Sequence, residues 1–133
     1  MSDYLPKRFT IFIGGFMGPS YIVEMDANKK SALNYRYFCE EEEKNLQINP
    51  TFQQWKKFWI QMEKSKIWSW KADYPNPGVC DGTQWKIAIH YAEQKIESRG
   101  DNNYPNCRNG VPGKTFTTFL KAVQELLGGA AFS

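Results

Sequence analysis

Along this chain the spacing of apolar residues switches between two and three-to-four, and that switching restricts the fold more than any other feature. Trp85, Ile87, Ile89 and Tyr91 alternate with Lys86, Ala88 and His90, which predicts a strand over 85–91 with one apolar face. Phe52, Trp55, Trp59 and Met62 instead fall at intervals of three, four and three, which is one side of a helix running from about Thr51 to Lys66. Thr51 supplies its N-cap. A chain built from both periods must lay an apolar helix stripe on a sheet face.

The remaining segments follow the same two patterns. β-Branched and aromatic residues over 9–14 and 20–25 predict two strands, separated by a glycine-rich turn. A third runs from Ala32 to Cys39, with Leu33, Tyr35 and Tyr37 on one face. Trp68-Ser69-Trp70-Lys71 returns to period two and predicts a fourth strand. Ala92-Glu93-Gln94 turns strand 85–91 into a sixth strand, 95–99. Phe116, Phe119, Leu120, Val123, Leu126 and Leu127 form the stripe of a last helix from about Thr115, and Gly128-Gly129 stops it. The acidic run Glu40-Glu41-Glu42-Glu43 reads as a solvated loop or a ragged helix start.

The order strand, strand, strand, helix thus occurs twice. The helix starts align, Thr51-Phe52 with Thr115-Phe116, Trp55 with Phe119, Lys57 with Lys121 and Met62 with Leu126. The expected fold class is α+β, with a six-stranded antiparallel sheet made of two βββα units and both helices on one sheet face. The halves would be about 8–66 and 67–129 of a single domain spanning 1–133, an ordinary length for one domain. With 41% hydrophobic residues a core can form, and no stretch approaches the roughly 20 apolar residues of a membrane-spanning helix. Residues 1–9 lack the apolar centre of a signal peptide, so a cytoplasmic protein is expected.

Sequence motifs exclude more chemistry than they indicate. There is no phosphate-binding glycine loop, no G-x-S-x-G elbow and no H-E-x-x-H. Cys39, Cys80, Cys107 and the single histidine His90 would all have to converge to hold a structural zinc, so no metal or cofactor is expected. A nucleophilic pair of His90 with Cys80 or Cys107 is disfavoured by the place of His90 well inside its strand. Catalysis is therefore not expected.

Two surfaces remain. In an antiparallel meander the long loops 73–84 and 100–114 lie at one sheet edge, which brings together Tyr74, Asp81, Asp101, Asn103, Tyr104 and Arg108 as partner-binding or small-molecule-binding candidates. Cys80 and Cys107 share those loops. The uncovered sheet face would carry Lys71, Lys86, His90, Lys95 and Arg99, a basic stripe suited to phosphates. In the first half the same face would carry Phe12, Ile22 and Phe38, an apolar patch suited to a protein partner or a homodimer. The five tryptophans are expected in the core. A net charge of +3 is too small to favour nucleic acid by itself. The expected function is a non-catalytic module that binds another protein, as an inhibitor, adaptor or phage–host antagonist. The alternatives are nucleic-acid binding through the basic face and small-molecule binding at the loops.

Overall fold

The computed structural model describes residues 4–15, 18–76, 82–107 and 111–133. Asp81, Cys80 and Arg108 lie outside those residues. Strands β1 (Arg8–Gly15), β2 (Ser20–Met25), β3 (Leu33–Cys39) and β4 (Glu42–Ile48) come first, followed by helix α1 (Phe52–Lys64). A 3-10 turn (Ile67–Ser69), β5 (Asp73–Tyr74), β6 (Thr83–Tyr91), β7 (Gln94–Asp101) and α2 (Lys114–Leu126) complete the chain.

The fold is α+β, with two helices and one mixed sheet of seven strands in the order β4-β3-β2-β1-β6-β7-β5. Neighbours run antiparallel except β5, which is parallel to β7. Pairing of β1 with β6 makes the seam, with Phe9 opposite Ile89, Ile11 opposite Ile87 and Ile13 opposite Trp85. All six of these side chains are buried, because alternate residues on every strand face the helices.

Both helices lie on that one face. The Phe9 ring is 5.5 Å from Trp55 of α1, and the Trp85 ring is 5.0 Å from Phe116 of α2. Lys57 of α1 pairs with Glu125 of α2 at 3.4 Å. Helix α1 begins with a full capping box, in which Thr51 Oγ1 accepts from Gln54 N and Gln54 Oε1 accepts from Thr51 N. Helix α2 ends where expected. Gly128 and Gly129 have φ of +71° and +98°, and their N–H groups donate to the Glu125 and Gln124 carbonyls. Trp55, Trp59, Trp70 and Trp85 are buried and Trp68 is half-buried, which places the tryptophans in or against the core.

Three expectations are corrected. The segment Trp68–Lys71 is not a strand. Lys66 takes a left-handed conformation (φ +55°) straight after α1, and Trp68 Nε1 and Trp70 Nε1 bond back to Glu63 Oε1 and Ser65 O. Those bonds hold the tryptophans at the helix end, and the chain reaches the sheet only as the two-residue β5. Second, the acidic run is a solvated turn only in its first half, and no part of it is helix. Glu40 (φ +53°) and Glu41 make the turn of a hairpin, and Glu42 and Glu43 begin β4. Third, the halves 8–66 and 67–129 are not equivalent βββα units. The first has four strands, while the second has β6, β7 and a short parallel edge strand.

Candidate functional site

Among the described residues one side of the sheet carries both helices and the other carries none. Cross-strand register places Asn45, Arg36, Ile22, Phe12, Lys86, Arg99 and Asp73 in one row across all seven strands of this open face. Phe12 and Ile22 are directly opposite neighbours at its middle, and both are half-buried without any covering layer. Phe38 lies diagonally beside Ile22, 37% exposed, with the Arg36 guanidinium 5.5 Å from its ring centre. The apolar patch expected from Phe12, Ile22 and Phe38 is therefore assembled.

Charge on this face is largely cancelled within it. Arg36 pairs with Glu43 at 3.0 Å, Arg8 with Glu97 at 3.4 Å and Arg99 with Asp73 at 3.4 Å. Lys86, His90, Lys95 and Arg99 do share the face, since His90 stands opposite Lys95 and Lys86 opposite Arg99. Lys71 precedes β5, where its N–H donates to Tyr74 Oη and its carbonyl accepts from Ser98 Oγ. Exposed pairs of this kind add little stability, and of the stripe residues it is Arg99 whose charge is taken up by such a pair, with Asp73.

Next to Phe12 the face sinks into a groove of about 340 Å³, lined by Asp73, Pro75, Gln84, Lys86, Arg99 and Asp101. It exists because the chain leaving β5 meets the end of β7. Asn76 Nδ2 donates to Asn102 O at 3.1 Å, and Asn103 Nδ2 donates to Pro75 O at 3.0 Å. Loops 73–84 and 100–114 are thus adjacent in their described parts, although the strand between them is parallel to β7 rather than antiparallel to β6.

The loop candidates divide. Asp101 and the edge of Tyr74 stay accessible. Tyr104 is only 4% exposed, with its ring 4.7 Å from Phe116, so it is a core residue and not a contact residue. Burial pushes its phenol up. Asn103 is a brace. Its Oδ1 accepts from Tyr104 N and from Cys107 Sγ, each at 3.0 Å, and so its polar atoms are spent inside the protein. Asp81 and Arg108 lie outside the described residues.

Cys107 and Cys39 are free, half-buried thiols. His90 lies six residues along β6 from Gln84, the partner of Asp101, so roughly 20 Å separates it from the loop end that holds Cys107. Among the described residues no cluster of His, Cys, Asp and Glu is placed to hold a metal ion, and no helix is long and apolar enough to cross a membrane.

A further surface has no counterpart in the motif reading. Strand β4 forms one edge of the sheet, and six of its seven residues are exposed. Leu46, 46% exposed, stands beside Tyr35 and Tyr37 over a groove of about 350 Å³ bounded by Ala130 and Ala131. Desolvation, and then the charge of Glu42, raise the pKa of Tyr37 in this groove. Sequence gave only a faint signal for it, the alternation Lys44-x-Leu46-x-Ile48 amid Glu, Asn and Gln that strands disfavour.

Comparison with protein-family models and with curated proteins finds no match to this sequence.

Proposed function

We infer that this protein is a non-catalytic module that binds another protein through its open sheet face, in the manner of an inhibitor or adaptor. The observation that carries this reading is the Phe12–Ile22 pair with Phe38, an apolar centre on the sheet, in a rim of charged residues of which Arg8, Arg36 and Arg99 are paired with carboxylates on other strands. An apolar centre inside a polar rim is the anatomy of protein interfaces. Pairing of Arg99 with Asp73, and the presence of Glu97 and Asp101 on the same face, reduce the positive charge that the nucleic-acid alternative needs. The groove beside Phe12 extends the contact area towards Asp101 and Tyr74 and suits a partner side chain better than a buried small molecule, since it is open and shallow in apolar lining. The free thiols of Cys39 and Cys107 favour action in the cytoplasm.

Affinity purification from the organism that encodes the protein tests the reading, with nuclease and high-salt washes. The expected result is a protein partner that survives both washes and is lost from a Phe12→Lys, Ile22→Lys variant whose melting curve stays cooperative. Nucleic acid released by salt would establish the alternative. A partner retained by the double variant would move the interface off the open face.

A further inference from the structure

The two edges of the sheet differ. At one, β5 is two residues long and is followed by Pro75, which blunts it. At the other, β4 is seven residues long, pairs with β3 in unbroken register from Glu42–Cys39 to Ile48–Leu33, and contains neither proline nor glycine. Among the described residues nothing pairs with its outer side. Such an edge offers a row of backbone donors and acceptors to another strand. Grooves flank it on both faces, the tyrosine groove on the helix side and a second of about 420 Å³ by Ile22, Arg36 and Gln47 on the open side. An added strand would therefore find room for side chains of both parities.

Charge decides what kind of strand fits. Glu40, Glu41, Glu42 and Glu43 are exposed at the hairpin end of this edge, and among the described residues the basic partner they find is Arg36, at Glu43. A second copy of β4 does not answer that charge. Paired in parallel it would set glutamates opposite glutamates. Paired antiparallel about Asn45 it would set Glu42 and Glu43 opposite Ile48 and Gln47, and the chain has no Lys or Arg from Asn45 to Trp55. We propose that the β4 edge takes up an extended segment of a partner protein by strand addition, with apolar side chains over Leu46 and Tyr37 and a basic end at Glu40–Glu43. The backbone edge is distinct from the open-face centre at Phe12, although its second groove borders that face at Ile22, and it extends the protein-binding reading.

The test uses the full chain and defined peptides of alternating threonine and valine, ending in two lysines at either terminus, with a two-glutamate version as control. Backbone amide exchange is followed along the chain. Lysine-ended peptide should slow exchange in 42–48 selectively, the effect should fade as salt rises, and the glutamate-ended peptide should leave β4 unchanged. A Glu41→Lys, Glu42→Lys variant should bind about tenfold more weakly. Should that variant fold poorly, the salt titration on the unaltered protein reads the same charge dependence. Equal protection by both peptides, protection outside β4, or none at all would overturn the proposal. So would β4 protection that grows with protein concentration in the absence of peptide, which would assign the edge to a second copy. Phe12→Lys alone, which touches neither groove flanking β4, should leave peptide protection intact while weakening the open-face partner, so failure here and failure of the open-face reading remain distinct.

Discussion

The rings of Trp59 and Tyr91 lie face to face, with centroids 3.9 Å apart and planes 5° from parallel. The pair joins the middle of α1 to the last residue of β6, and Trp59 Nε1 also donates to Tyr4 O at 2.7 Å. Trp59 thus ties helix, sheet and N-terminal segment together. Trp59→Ala should cost about 3–5 kcal/mol, and Tyr91→Ala about 1–2 kcal/mol, because Tyr91 is half-buried where Trp59 is buried. Urea unfolding followed by circular dichroism checks both values. Equal losses would mean that the stack, and not the buried indole, carries the stability.

Gly100 stands directly opposite Trp85. A Cβ at Gly100 would fall on the Trp85 indole and on the Asn103 carbonyl, and these two already share a hydrogen bond of 2.8 Å. Gly100→Ala should therefore cost about 1–3 kcal/mol and shift the tryptophan fluorescence on denaturant titration. The groove beside Phe12 shares this wall, so a partner seated there should also bind the variant less tightly.

Tyr35 Oη donates to Ala131 O at 2.7 Å, and Phe132, beyond it, is fully buried. Tyr35→Phe should cost about 1 kcal/mol and speed trimming of the C-terminus by carboxypeptidase. Burial, and then Tyr21 and Tyr37, hold the Tyr35 phenol above its ordinary value of 10.0. A raised phenol stabilises the folded state fully below pH 10.0, and that contribution is lost as pH rises through the folded value. Urea midpoints taken from about pH 8 to pH 11 should fall more steeply for the unaltered protein than for Tyr35→Phe.

Asp26 shapes the β2–β3 turn in the opposite sense. Hydrogen bonds from Asn34 and then from the Asn28 backbone hold its carboxyl below its ordinary value of 3.8. Its contribution is therefore present above pH 3.8 and disappears as pH falls through the lower folded value. Asp26→Asn should lower the melting temperature at neutral pH and flatten its decline in acid. A parallel decline in both proteins would show that the turn does not depend on this charge.

The legible elements were those whose own residues repeat. The helices and strands β1, β2, β3 and β6 stood out because each alternates or cycles its apolar side chains within one segment, and β7 because the turn at Ala92-Glu93-Gln94 brings the chain back beside β6. The open-face patch was legible for the same reason, since parity alone puts Phe12, Ile22 and Phe38 on one side. Strand β4 was hidden because its outer position leaves it little apolar surface to bury, and its hairpin turns on Glu40 with positive φ, where glycine or asparagine would announce a turn. Tyr104 looked like a loop contact, but Trp85 and Phe116 draw it into the core.

Sequence by itself determined the α+β class, the cap and stop of the helices and which side of each long strand is apolar, because these depend on neighbours within one turn or one pleat. Only the tertiary structure decided that β6 joins β1, that β5 runs parallel to β7, and that Arg8, Arg36 and Arg99 meet carboxylates on other strands. Those relations are set by partners far apart in the chain, and the pairing of a strand's two edges leaves no period in the residues between them.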